Sequence, residues 1–153
     1  MYNWLEKPIF ISGYYKSGTT LLLSLFDSHP ELVTFPEDML YGRDLFGKPK
    51  SYESIMKSGF RVFVNDQYLA EYSQGKGIYE NGYPFYNKKR FEDIIANLAE
   101  QKLDDKSLMQ ELVKAFSYVG KIETSSKKRW VSKSTMNEVF FPVLRKMYSN
   151  ELL

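Results

Sequence analysis

Pro8-Ile9-Phe10-Ile11-Ser12-Gly13-Tyr14-Tyr15-Lys16-Ser17-Gly18-Thr19-Thr20, running on into Leu21-Leu22-Leu23, is the stretch that decides the fold. An apolar run rich in β-forming residues meets a glycine. A short loop with one lysine, a second glycine and two threonines follows, and then a run of helix-forming leucines. The order is strand, anion-cradling loop, helix. Such a loop closes on a helix N-terminus, where unpaired backbone N–H groups and the positive end of the helix dipole favour a bound anion. Gly13 and Gly18 allow φ > 0 and a close approach of backbone to phosphate oxygens. A phosphate-bearing ligand is the expectation.

The position of the lysine narrows that ligand. In the nucleoside triphosphatase loop G-x-x-x-x-G-K-[ST], lysine follows the second glycine and reaches the β- and γ-phosphates. Gly13 and Gly18 keep the spacing, but Thr19 stands in the lysine slot and Lys16 precedes Gly18 by two residues. From there Lys16 would lie beside the terminal group of a shorter phosphate chain. Lys16-Ser17-Gly18-Thr19-Thr20 after an apolar strand, with His29-Pro30 one helix later and Phe35-Pro36-Glu37 beyond, resembles the sulfotransferase family. The match runs from about Pro8 to Glu37 and returns at Arg129-Trp130-Val131-Ser132-Lys133-Ser134.

The resemblance implies an α/β fold of P-loop type: three layers with a central parallel sheet, incomplete at the C-terminus. It implies transfer of a sulfuryl group from 3′-phosphoadenosine 5′-phosphosulfate, without a metal, to a hydroxyl or amine of a glycan, peptide or metabolite. It gives Tyr15, Lys16, Ser17, Gly18, Thr19 and Thr20 to the donor, with Ser17, Gly18, Thr19 and Thr20 on its 5′-phosphate and Lys16 over the phosphosulfate bridge. Glu37 resembles the carboxylate base of tyrosylprotein and some carbohydrate sulfotransferases. Lys133 resembles a lysine on the phosphosulfate or acceptor side, although Ser134-Thr135 replaces the relatives' threonine-proline.

The residues themselves leave alternatives open. Glu37 follows a strand at its carboxyl end, the edge that also carries the loop, but Glu37 or Asp38 would equally cap the next helix or turn. His29, the chain's one histidine, is expected to be structural. Lys133 reads otherwise as a surface lysine of a basic stretch. A variant-loop nucleotide kinase or NTPase, and a non-catalytic binding domain, are the competing functions.

Composition sets the frame. The 153 residues hold 43% hydrophobic and 16% aromatic side chains, which excludes a disordered chain, and they form one domain or part of one. A net charge of +2 argues neither for nucleic acid nor for an anionic membrane. The absence of cysteine leaves no disulfide framework. No apolar run approaches the ~20 residues that span a bilayer, and a cytoplasmic location is expected.

Along the chain, strands are expected at Pro8–Ser12, as the central strand, and at Glu31–Phe35, ended by Pro36-Glu37-Asp38. A helix covers Thr19–Ser28. Residues 42–90 read as an aromatic insertion or an acceptor-binding region, with helix over Ser54–Val64 and turn chemistry at Tyr79–Tyr86. Phe91, Ile94, Ile95, Leu98 and Ala99 mark a helical stripe. A second helix is capped by Ser107 and ends at Gly120. Arg129–Ser132 is a strand with Lys133 at its end. Asn137–Tyr148 is a helix in which Pro142 either sits in the first turn or limits the regular part. Asn150–Leu153 reads as the start of another strand. The family's 3′-phosphate arginine and serine would follow it, so residues 1–153 are expected to be an N-terminal portion that binds donor weakly and self-associates.

Overall fold

The computed structural model describes residues 3–27, 29–60, 87–135 and 137–149, with Pro36, Glu37 and Gly59 described by backbone alone. It is a mixed α/β structure around a small parallel sheet. Strand β1 (Pro8–Ile11) leads through the loop to helix α1 (Thr19–Leu25), and β2 (Leu32–Asp38) follows. Two short helices, α2 (Tyr41–Leu45) and α3 (Tyr52–Ile55), precede a π-helical turn at Met56–Phe60. Helices α4 (Lys88–Glu100) and α5 (Asp105–Val119), strand β3 (Arg129–Lys133) and helix α6 (Asn137–Met147) complete it. No helix of the described residues is long and apolar enough to cross a membrane.

The sheet order is β1-β3-β2, all parallel. Among the described residues β3 is therefore central, and β1, expected to be central, is an edge. The apolar run Pro8–Ile11 looks like a doubly flanked strand because helices cover both of its faces, not because strands flank both its sides. Ile9 and Ile11 join Leu23, Phe26, Leu32 and Val131 on the α1 face. Phe10, Val33, Phe35 and Trp130 join α4, α5 and α6 on the other.

That second face carries most of the core. Trp130, Phe35, Phe91 and Phe116 are wholly buried. Phe35 meets Phe116 and Phe60 with ring centroids 5.2 and 5.3 Å apart, and Phe10 sets its edge to Trp130 at 5.5 Å. Each such side chain contributes roughly 1.5–3 kcal/mol by leaving water. The Trp130 indole N–H donates to the Leu5 carbonyl at 3.0 Å, so burial of the ring strands no polar atom.

Several boundaries moved for local reasons. Strand β2 runs through Pro36 to Asp38 instead of stopping, because an edge strand tolerates a proline where the ladder is already irregular. Helix α1 ends at Leu25, with Phe26 as its C-cap. Helix α5 is capped by Asp104, which accepts from the Ser107 N–H at 2.7 Å; Ser107 is the donor, not the cap. At its other end Gly120 stays right-handed, and Lys121 takes the left-handed turn at φ 53°. The Ile122 N–H then closes on the Ser117 carbonyl at 2.9 Å, as in a Schellman ending. Pro142 lies inside α6, on its exposed side, where water can serve the carbonyl that its missing N–H leaves open. The segment Tyr52–Phe60 is a short helix and a π-turn, not the single helix expected from Ser54 onward. Tyr79–Tyr86, Asn150–Leu153 and the end of the expected Ser54–Val64 helix lie outside the described residues.

Candidate functional site: the loop at the carboxyl ends of the strands

Between β1 and α1 the backbone folds into a tight turn, the Ser17 N–H donating to the Tyr14 carbonyl at 3.0 Å. Gly18 at φ 86° stands at the N-cap, and the Leu22 N–H donates to its carbonyl at 2.9 Å to begin the helix. Gly13 sits in a tight place for a different reason. A β-carbon there would lie 2.5 Å from the Ser17 hydroxyl and 2.9 Å from a Thr19 methyl, so both side chains would have to move aside. Lys16 adopts φ 62°, a left-handed conformation that costs a non-glycine residue roughly 1–2 kcal/mol. The loop thus holds a lysine where glycine would be easier.

Lys16 and Ser17 are exposed, Thr19 is buried in the first turn of α1, and Thr20 is half-buried. Tyr14 and Tyr15 are also exposed, their rings set edge to face at 6.3 Å. Aromatic surface left in water beside a polar loop is a natural platform for a flat ligand.

The three strands end in register beside this loop. Ile11 pairs with Lys133, and Lys133 pairs with Asp38. The Lys133 side chain is 8% exposed, and its ammonium lies 2.9 Å from an Asp38 carboxylate oxygen. The Lys133 carbonyl accepts from the Met39 N–H at 2.9 Å, which carries the β2–β3 pairing past the last ladder residue. The backbone places Glu37 one residue before Asp38, within β2.

The connection from β3 to α6 is pinned to the same place. The Ile11 carbonyl accepts from the Ser134 N–H at 3.0 Å and from the Asn137 side-chain amide at 3.1 Å. The Ser12 hydroxyl accepts from the Glu138 N–H at 3.1 Å and donates to the Glu138 carboxylate. That hydrogen bond, helped by Glu138's own N–H, holds the carboxyl below its usual range. Lys16, Lys133 and the β2 end carrying Glu37 are thus brought to one rim of the sheet. Asp38, Ser12 and Glu138 join them and were not singled out from the sequence. The signal for Asp38 was its adjacency to Glu37. Ser12 and Glu138 are 126 residues apart, and no local pattern links them.

The basic run Lys127-Lys128-Arg129 lies at the opposite end of β3. There the Lys128 N–H donates to the Glu31 carbonyl at 2.8 Å, and the Lys128 ammonium pairs with the Glu31 carboxylate. Lys127 donates to the His29 carbonyl at 3.1 Å, and burial pushes its ammonium pKa down. His29 itself accepts from the Glu31 N–H through Nδ1 at 3.2 Å and shapes the turn into β2. Two adjoining open clefts of about 470 and 720 Å³ also lie where the strands begin, sharing Trp4, Lys114, Glu123 and Thr124. They contain none of the loop residues.

Among the described residues no cluster of three histidine, aspartate or glutamate side chains gathers as a metal ion requires. No protein family matches this chain, and neither a curated protein nor a solved structure matches it.

Proposed function

We propose that the chain carries the donor-binding part of a sulfotransferase of P-loop-type, three-layer fold, with 3′-phosphoadenosine 5′-phosphosulfate as donor and a hydroxyl or amine as acceptor. The observation that supports this best is the conformation of the loop. Lys16 is held at φ 62° between a glycine whose β-carbon would crowd the Ser17 and Thr19 side chains and a second glycine at φ 86°. Strain retained at a charged, exposed loop residue fits a side chain kept for binding an anion.

In this reading the backbone N–H groups of Gly18 to Thr20, with the Ser17 hydroxyl, take the 5′-phosphate. The acceptor oxygen attacks sulfur, the bond from sulfur to the bridging oxygen breaks, and adenosine 3′,5′-bisphosphate departs with that oxygen. Lys16 neutralises the charge growing on the bridge, a stabilisation exerted mainly in the transition state. Glu37 takes the acceptor's proton. Lys133 steadies the transferring group from the neighbouring strand end.

Titration calorimetry tests the reading. Adenosine 3′,5′-bisphosphate is expected to bind without magnesium, and Lys16→Ala to weaken it about 10- to 100-fold, as loss of one charged hydrogen bond should. Binding of ATP only, and only with magnesium, would replace the sulfotransferase by a nucleotide kinase or NTPase. In a transfer assay Glu37→Gln should lower turnover about 10²- to 10⁴-fold with donor affinity unchanged. An unchanged rate would remove Glu37 as the base.

A further inference from the structure

Strand β2 does not pair evenly with β3. Thr34 stands opposite Val131, but the next paired residue, Asp38, stands opposite Lys133. Four residues of β2 span what two residues of β3 span, and a regular ladder would have set Pro36 against Lys133. We infer that this irregularity serves to deliver Asp38, and that Asp38 is the positioning residue for the Lys133 ammonium at the loop.

The reasons are geometric. Lys133 is nearly enclosed, and an enclosed ammonium is costly unless a counter-charge meets it. Proline offers neither charge nor N–H, so an unshifted register would leave Lys133 facing an apolar ring. The extra residues put a carboxylate 2.9 Å from the ammonium. The chain is then locked immediately afterwards by the Met39 N–H on the Lys133 carbonyl and the Leu40 N–H on the Ser58 carbonyl, at 2.9 and 3.0 Å. Irregular pairs of this kind re-aim side chains at strand ends. Asp38 keeps 34% exposure, against 8% for Lys133. The Lys133 side chain has one long flexible stem, and the ion pair selects one of its rotamers.

This inference rests on the proposed function only for its ligand arm, and the two arms fail separately. The first arm is a thermal double-mutant cycle on the whole chain with Asp38→Asn, Lys133→Met and both together. Each single change should lower the melting temperature by roughly 3–10 °C, and the double variant should lose no more than the worse single one. Additive losses would overturn the pairing. The second arm is the affinity for 3′-phosphoadenosine 5′-phosphosulfate without acceptor, measured at a temperature where every variant is folded. Asp38→Asn should weaken it roughly tenfold, and should change nothing further in a Lys133→Met background, because a positioning role reaches the donor through that ammonium. Asp38→Glu should recover part of the loss. Coupled melting with unchanged donor affinity would make the pair purely structural and overturn the positioning role. Failure of the unmodified chain to bind donor at all would sink the sulfotransferase reading, with the melting cycle still deciding whether Asp38 holds Lys133.

Discussion

On one face of the sheet Trp130, Phe35, Phe91 and Phe116 are wholly enclosed, and α4, α5 and α6 pack over them. On the other, the buried set is Ile11, Leu23 and Val131 beneath the seven-residue α1. The same helix leaves Leu21, Leu22 and Leu25 at 67%, 44% and 72% exposure. The heavily packed face resembles a domain interior. The lightly packed face holds up a loop that stores backbone strain at Lys16. Segments that open to ligands are drawn from the less stable parts of structures, and the lightly packed part here is one helix and its leading turn, where the proposed site lies. The difference therefore puts most of the stability on one side and the proposed binding loop on the other, and each half of the comparison can be broken by substitution.

The largest expected effect comes from matched truncations across the sheet. Trp130 and Leu23 both have no exposed surface. Trp130→Ala should destabilise by about 3–5 kcal/mol, since the ring contacts Phe10 and Tyr148 and the cavity cannot collapse within a rigid aromatic cluster. Leu23→Ala should cost nearer 2 kcal/mol, at the low end for its type, because a short helix over a small cluster can settle into the space. Urea unfolding of the two variants measures this. Equal losses would show that α1 is as firmly packed as α5.

The loop gives a smaller pair of effects with opposite signs. Gly18→Ala meets no atom within 4 Å but must hold φ 86°, so it should cost roughly 1–2 kcal/mol from backbone strain alone. Lys16→Gly removes strain of the same kind at φ 62° and should gain up to about 1 kcal/mol while weakening adenosine 3′,5′-bisphosphate binding. A Lys16→Gly variant that loses stability and keeps its affinity would mean that the loop's strain has no connection with ligand.

Legibility from sequence followed the same division. The strand–loop–helix order and the helices at Phe91 and Leu108 were readable because they rest on periodicity and on glycine spacing, both of which act within one or two turns of chain. Among the described residues β1 lies at an edge rather than at the centre, and composition does not separate the two, since an apolar strand covered by helices on both faces reads the same in either place. The continuation of β2 through Pro36 is not legible locally, because proline reads as a strand terminator until the irregular register that admits it is known. Lys16, Glu37 and Lys133 were readable as candidates from one motif each. Their partners were not, because Lys133–Asp38 and Ser12–Glu138 are contacts of tertiary origin across 95 or more positions of chain.

The heavily packed face contains one group that weakens it, and this gives the smallest prediction. Tyr41 of α2 is completely buried, with its ring 5.3 Å from that of Phe46. Its hydroxyl has no hydrogen-bond partner among the described residues. Burial, then the nearby Asp105 carboxylate, pushes its pKa far up, so it remains a neutral phenol at any working pH. A buried hydroxyl without a partner costs about 1–3 kcal/mol relative to water, whereas the ring itself gains from enclosure. Tyr41→Phe keeps the ring and removes only the hydroxyl, so it should be neutral or stabilising by about 1 kcal/mol, visible as a melting temperature raised by a few degrees. Substituting a core aromatic usually costs stability, so a gain here would be a specific signature of the stranded hydroxyl. A loss above about 1 kcal/mol would show instead that an enclosed water or the Asp105 carboxylate engages the hydroxyl, and the heavily packed face would then be polar at its centre as well as apolar around it.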